Sequence, residues 1–543
     1  MTSGNRRRPV IITLVGALVI SLGAVFMVNS FGNENSADEG PLSNADCDTP
    51  VTVSLSTTPE MKAQLETAAK ALTGRDDSRT PCTNFSINAV APGAVAQAVA
   101  AGDEQIPDLW VPDSSLWVAR ADDGQSLPTV AVPSLATSPM VLVGDSATFA
   151  DTSSWLGVFS KAPPALLDPL STSIGAAALL AVQAERAKTS TSDTQVAQVL
   201  VPLAQRHGSM AKAYTDLNGL FTRAAQEGSN LVVPSSEQAF VAFQEAHPDT
   251  GLKAVVPATG TLLLDYPLVV TAKDDVERVT ETAKLLGQQL RSAGGTEGTD
   301  KAGFRSPTRE PLTGGRGVGN IEMLGKPAVQ VAEQVLQQWA TLALSAHSLA
   351  VIDTSGSMNE KVAGGKRRID LTIAAAESGL KMFPDSAALG LWSFSTKQPP
   401  AKPLDWQPLV PIRKLSAQQR VEMVTALRQL GNKANGGTGL YDVAIAAYRT
   451  VQDGFDPKAV NAVLIFTDGK NDDPGSISLD EAVRTLQSLR DPARPVRIIA
   501  LGMGPDADQS ELDKLARATG GRAYVARNPA DLQAVFIDAL QNR

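Results

Sequence analysis

The sequence predicts an α/β protein of two units behind an N-terminal membrane helix, and three observations carry that expectation. Apolar runs of strand length alternate with stretches of helical period in both halves of the chain. A glycine-rich, aperiodic segment over residues 308–325 separates the halves. Several apolar runs end in Asp, Ser or Thr, as strands do when a site lies at the carboxyl ends of a parallel sheet.

The first element is the membrane helix. Arg6, Arg7 and Arg8 precede Val10–Val28, an apolar run long enough to cross a bilayer at about 20 helical residues. The positive flank predicts that residues 1–9 stay in the cytoplasm. The result would be a single-pass protein of the cell membrane with the bulk of its chain extracytoplasmic. No small-residue cleavage pattern follows, so the run reads as an uncleaved signal-anchor, and the polar residues 29–47 as a tether. The two cysteines, Cys47 and Cys82, bracket the next strand and helix. In an oxidising compartment such a pair is expected to bridge, stabilising the fold by roughly 3 kcal/mol; the alternative is two independent thiols.

From residue 48 to 311 the alternation begins with a strand at Val51–Ser56 and a helix showing Met61, Leu65, Ala68 and Leu72 on one face. A strand at Phe85–Val90 and a helix at Val95–Ala100 follow, a pattern that predicts a parallel sheet. Then come PDLWVPDSS at Pro107–Ser115, LATSPMVLV at Leu135–Val143, LLDPLSTSIG at Leu166–Gly175, LLLDYPLVV at Leu262–Val270 and GFRSP at Gly303–Pro307. This series resembles bacterial extracellular solute-binding proteins of the two-lobed periplasmic kind. The resemblance implies a small ligand held between two α/β lobes by hydroxyls, amides and helix N-termini. By position it implies Thr57, Asp113, Ser114, Ser138, Ser173, Glu237 and Tyr266 as ligand-binding candidates. Asp113 and Ser173 could equally cap helices, and Tyr266 could be core.

Residues 312–345 read as a linker and a connecting helix, Pro327–Ala346, with Val329, Ala332, Val335 and Leu336 on one side. The GRGVGN within the linker imitates a dinucleotide fingerprint, but no apolar strand precedes it.

Residues 346–543 form the second unit. The apolar strand Leu349–Ile352 delivers Asp353, Ser355 and Ser357 onto the loop at its carboxyl end. Ile369, Ile373, Ala376, Leu380 and Phe383 then recur at helical spacing, ending before Pro384. Strands are expected at Leu389–Phe394 and, on an edge, Leu409–Ile412; the helix Ala417–Leu430 carries the chain to Thr438, before the helical run Leu440–Thr450. The strand Ala462–Phe466 closes in Asp468, and the order continues as strand Val496–Leu501, helix Glu511–Thr519, strand Ala523–Ala526 and helix Asp531–Leu540. Hard oxygen donors of this kind suit Mg²⁺, although Asp, Ser and Thr are also common caps. Asp353-x-Ser355-x-Ser357 with Thr438 and Asp468 resembles the metal-ion-dependent adhesion site of von Willebrand factor A-type (vWA) domains, which have a Rossmann-like doubly wound fold. The resemblance implies Mg²⁺, or Mn²⁺ or Ca²⁺, at these residues, and a protein partner whose acidic side chain completes the shell.

Composition narrows the function. Lys+Arg 48 against Asp+Glu 57 gives a net charge of −9, and no basic run follows the N-terminus, so nucleic-acid binding has no electrostatic footprint. His207, His247 and His347 are too scattered for a zinc site, and no HExxH or nucleophile elbow is present. These features point away from an enzyme. The first expectation is a membrane-anchored binding protein gripping a partner through its metal; the second is a solute receptor of a transporter.

Overall fold

The computed structural model describes residues 50–73, 82–122, 128–145, 149, 153–162, 164–210, 216–362, 365–398, 404–504 and 507–526. The expected membrane helix Val10–Val28, the tether, Cys47 and the expected helix Asp531–Leu540 lie outside these residues. Among the described residues no helix is long and apolar enough to cross a membrane.

The N-terminal part is built on two sheets. The first takes β1 (Val51–Thr57), β2 (Thr83–Ala89), β3 (Leu109–Val111), β4 (Thr129–Val132) and β9 (Leu268–Val270) in the order β2-β1-β3-β9-β4. The second joins β5 (Ser138–Asp145), β6 (Val233–Ser236) and β7 (Leu252–Val255) in the order β6-β5-β7, with β8 (Leu263–Leu264) also on β5. The expected parallel sheet is realised only by β1, β2 and β3. β9 runs antiparallel to β3 and β4, and every pairing of the second sheet is antiparallel. The reason is the route of the chain: it leaves the first sheet after β4, builds the second, and returns as β9 from the opposite direction.

Local chemistry sets the elements. Val53 and Leu55 of β1 point into a core that also receives Met61, Leu65, Ala68 and Ala69 of the helix Pro59–Lys70. Proline opens both that helix and Pro92–Ala101, where its fixed φ suits the first turn. Gly102 ends the second at φ +70°, a conformation that costs other residues more. Cys82, just before β2, is not a free thiol.

The segment after residue 311 is a strap rather than a loose linker. Arg316 pairs with Asp300 at 2.7 Å, Val318 N donates to Glu237 at 2.8 Å, Met323 bridges to Thr261, and Glu322 pairs with Lys188 at 3.2 Å. The connecting helix spans Val329–Ala343 and buries Ala332, Leu336, Trp339 and Leu342. Val329, expected on the packed face, is 45% exposed. The buried stripe runs through Trp339 because the largest ring claims the contact, lying 5.5 Å from His207 on the helix Asp193–Met210. Leu342 O also accepts a hydrogen bond from Gln205, and Glu333 pairs with Arg120 at 2.7 Å. Only Leu344 separates this helix from the next strand.

The C-terminal part is a single sheet of β10 (Ser345–Asp353), β11 (Ala388–Gln398), β12 (Leu404–Lys414), β13 (Ala459–Thr467), β14 (Val496–Met503) and β15 (Ala523–Ala526). The order is β12-β11-β10-β13-β14-β15, parallel throughout except for β12, which folds back antiparallel on β11. The inner strands β10, β13 and β14 bury apolar side chains on both faces, as cover by helices on both sides requires. Ile352, Leu464, Phe466, Ile499 and Leu501 pack toward the helices Arg368–Met382 and Ala417–Leu430. Leu349, Val351, Val463, Ile465 and Ile498 face the helices Leu440–Asp453, Leu479–Leu489 and Gln509–Ala518. This alternation along each strand makes the sheet doubly wound.

Candidate metal centre

β10 and β13 are neighbours, with Ile352 opposite Phe466, so the loops leaving their carboxyl ends meet. β10 ends at Asp353, and a 3₁₀ turn, Gly356–Asn359, follows Ser355. Asp353, Ser355, Thr438 and Asp468 are all buried, while Ser357 is half-buried. Asp353 Oδ1 accepts the Ser355 N–H at 2.7 Å and its Oδ2 accepts the Thr467 hydroxyl at 2.5 Å. The Ser355 and Ser357 hydroxyls lie 3.0 Å apart, and Ser357 donates to Asp468 Oδ1 at 2.8 Å.

Thr438 arrives from a third loop, which is stitched to the other two. Asn435 N donates to Thr354 O and Gly356 N to Gly436 O, both at 2.8 Å. Thr438 exchanges backbone hydrogen bonds with Asp472 at 3.1 and 2.9 Å. The glycines allow this approach: Gly436 has φ +85°, and a Cβ on Gly437 would lie 2.2 Å from Asp472 O. The loops thus bring the five expected residues to one end of the sheet.

Burial, with a smaller push from the Asp468 carboxylate, drives the Asp353 carboxyl up to about 7, although Thr467 and Ser355 pull it down. Two adjacent buried acids are costly as uncompensated anions, and with the hydroxyl oxygens beside them they make a suitable grouping for a hard divalent cation. The residues present therefore fit Mg²⁺ or Mn²⁺. Sequence reasoning missed two partners of the acids: Thr467, on Asp353, and Arg368, whose Nη1 lies 2.8 Å from Asp468 Oδ2. It also missed a separate trio, Asp405, Asp442 and Asp473, whose carboxylate oxygens lie within 4.8 Å of one another. Ser476 donates to Asp442 there at 2.6 Å.

Residues 53–305 match the family of bacterial extracellular solute-binding proteins, and residues 349–537 match the von Willebrand factor type A domain. The chain joins a solute-binding-protein-like domain to a vWA domain. Two uncharacterized proteins of Mycobacterium tuberculosis, from strains CDC 1551 / Oshkosh and ATCC 25618 / H37Rv, are each 24% identical over 475 residues. The alignment covers 76% of this chain and 64% of theirs, so the chain spans under two thirds of these relatives' length. Among solved structures, a von Willebrand factor type A protein from Catenulispora acidiphila is 23% identical, with 37% of this chain and 42% of that one covered at a TM-score of 0.30. The sulfate-binding protein SubI from Mycobacterium tuberculosis H37Rv is 17% identical, covering 47% and 87% at a TM-score of 0.34. A mussel byssus proximal thread matrix protein with a zinc-occupied MIDAS motif is 18% identical, covering 36% and 47% at 0.27.

In the solute-binding-like domain the seven candidates fall into two groups. Thr57 donates to Val111 O at 3.0 Å, and Ser114 caps the helix Ser115–Arg120 by accepting from Leu116 N at 3.2 Å. Asp113 accepts from Ser173 at 2.5 Å, Ser173 accepts from the Trp117 indole at 2.6 Å, and Tyr266 donates to Glu60 at 3.1 Å. The other group is Ser138, which accepts from Gln238 N at 2.9 Å, and Glu237, in a fully buried pair with Arg305 at 2.6 Å. These side chains bond to protein partners in the structure, whether backbone groups or the side chains of Glu60, Trp117 and Arg305.

Burial, reinforced by the Glu60 charge, pushes the Asp113 carboxyl up to about 7 against the lowering hydrogen bond from Ser173. A folded-state value above the ordinary 3.8 means that the folded protein holds a proton that the unfolded chain releases. Stability from this group is full below about 3.8 and is lost as pH rises through about 7. Asp113→Asn keeps the acceptor for Ser173 and removes the titration. Between pH 5 and 8 the wild type should lose more stability than the variant, by an amount on the order of a few kcal/mol. Urea denaturation at both pH values checks this; equal losses would show that Asp113 does not titrate in that range.

Proposed function

We propose that this chain is a membrane-anchored, extracytoplasmic binding protein whose vWA domain grips a protein partner through a divalent metal. In this reading Val10–Val28 serves as the anchor, and Cys47 bridges to Cys82 in the oxidising compartment. Asp353, Ser355, Ser357, Thr438 and Asp468 would hold Mg²⁺, or Mn²⁺ or Ca²⁺. Bound there, the cation supplies a coordination position for an oxygen from outside. The observation that carries this reading is the Ser357 to Asp468 hydrogen bond of 2.8 Å, which joins loops 111 residues apart at one sheet end.

Binding, not turnover, is the role this donor set supports. Both aspartates are engaged by hydroxyls and by Arg368, which orients them as ligands rather than freeing one as a general base. The test is affinity capture with the full chain in Mg²⁺ and again with chelator. A partner retained in Mg²⁺, lost on chelation and lost with Asp353→Ala is the expected outcome; capture indifferent to both contradicts it.

The second reading, a small-molecule receptor, is favoured by Thr58, whose buried Oγ1 has no hydrogen-bond partner at the start of the helix carrying Glu60. Thermal-shift screening of oxyanions and sugars addresses it; saturable stabilisation of the first domain would support it, and uniform silence would count against it.

A further inference from the structure

We infer that residues 312–333 latch the two lobes of the solute-binding-like domain shut, so that access between the lobes is controlled by the segment leading into the vWA domain. This goes beyond the metal-binding reading and does not depend on it. One lobe is built on the sheet β2-β1-β3-β9-β4, with the helices Pro59–Lys70, Ser115–Arg120, Val276–Leu290 and Ala293–Lys301. The other is built on β6-β5-β7, with the helices Ser173–Thr189, Asp193–Met210 and Glu237–Ala246. The chain passes between them at residues 133–137, 265–267 and 302–305. Two lobes joined by a few crossings open about them as hinges unless something else holds them together.

The strap engages the lobes in alternation. Thr313 N donates to Asp300 of the first lobe at 3.0 Å. Arg316 spans both lobes, with Nη2 on Asp300 at 2.7 Å and Nη1 on Glu245 of the second at 3.0 Å. The middle of the strap then lies on the second lobe and its hinge. Val318 N and Gly319 O bond the Glu237–Arg305 pair, Glu322 O and Leu324 N exchange hydrogen bonds with Thr261, and Lys188 donates to Met323 O at 3.1 Å. Lys326 returns to the first lobe, bonding the Ser115 hydroxyl and Asp265. Glu333 follows, pairing with Arg120 at 2.7 Å. Between the lobes themselves, Ser173 of the second donates to Asp113 of the first and accepts from Trp117.

The two kinds of anchor differ in strength. The middle is fixed on buried groups, Glu237, Arg305 and Thr261. The ties to the first lobe are solvent-reached ion pairs: Lys326 is 69% exposed, and Arg316 and Glu333 are 27% and 33% exposed. Such pairs are weak singly, but three on a segment already held in place act together. Opening therefore breaks the ties to the first lobe while the strap stays with the second. A latch of this kind releases without unfolding either lobe.

The experiment uses the full chain with spin labels on cysteines introduced at Gln288 of the first lobe and Arg223 of the second, both exposed, and reads their separation by pulsed electron paramagnetic resonance. The wild type should give one narrow distance distribution. Arg316→Ala/Lys326→Ala/Glu333→Ala should add a longer distance, with the open-to-closed ratio rising about tenfold or more. Lys326→Ala alone, a change at an exposed side chain, should raise it about twofold to threefold and keeps the inference testable if the triple variant does not fold. Lys284→Ala, which breaks an ion pair with Glu281 inside one helix of the first lobe, should leave the distribution as in the wild type. A wild type that already shows two distances, variants that show only the wild-type distance, or an equal change in Lys284→Ala would overturn the inference.

Discussion

Replacing Glu237 with alanine should destabilise the solute-binding-like domain by about 3–5 kcal/mol, the range for breaking a buried ion pair from one side. Both side chains of the Glu237–Arg305 pair are 0% exposed, and two N–H groups of the guanidinium meet the two carboxylate oxygens at 2.6 and 2.7 Å. Arg305 also donates to Gly319 O at 2.7 Å, and Glu237 accepts the Val318 N–H at 2.8 Å. The pair thus pins the strap to the second sheet, and Arg305 itself bridges to Thr137 beside β5. Glu237→Ala leaves a charged guanidinium without its counterion in a dry interior, which is where the cost arises. Glu237→Met with Arg305→Met should recover much of it, because the pair is expensive to break and cheap to replace. Denaturant unfolding of the first domain checks both, and a single variant within about 1 kcal/mol of wild type would contradict the assignment.

Asp353→Ala should abolish measurable binding of Mg²⁺ or Mn²⁺, a loss of at least about 100-fold. The substitution removes one of two carboxylates, and the remaining donors are hydroxyls that bind hard cations weakly on their own. It should not unfold the domain: burial holds the Asp353 carboxyl near 7, so removing the acid also removes a desolvation cost in the metal-free protein. Thr467→Val, which takes the hydroxyl from Asp353 Oδ2 but leaves every ligand in place, should lose about 10–100-fold. Calorimetric titration resolves the order. Equal metal binding by wild type and Asp353→Ala would contradict the site.

How much of this was legible in the sequence depends on distance along the chain. The Asp353, Ser355 and Ser357 loop is local: an apolar run ends, oxygen side chains follow, and the strand direction puts them at one tip. Asp468 and the glycines before Thr438 carry the same kind of local signal. The alternation of helices and strands also made the doubly wound sheet legible, since the runs Leu349–Ile352, Ala462–Phe466 and Ile498–Leu501 inside β10, β13 and β14 are apolar. What stayed hidden is set by tertiary placement. Arg368 reads as one basic residue in a polar stretch until the fold puts it against Asp468, one hundred residues on.

The first domain was less readable for the same reason. Nothing local distinguishes β9, LVV, from a parallel strand; only the return of the chain from the second sheet reverses it. The strap of residues 312–328 looks structureless because its bonds, such as Met323 to Thr261, are single bridges rather than ladders. The connecting helix was misjudged at Val329 because apolar periodicity fixes a stripe only within about a quarter turn, and Trp339 decides which stripe packs.

The most direct measurement is anomalous diffraction from crystals of the protein grown with Mn²⁺. A single strong peak bounded by Asp353, Ser355, Ser357, Thr438 and Asp468 is the expected result. Manganese absent from that position, or found only at Asp405, Asp442 and Asp473, would contradict it.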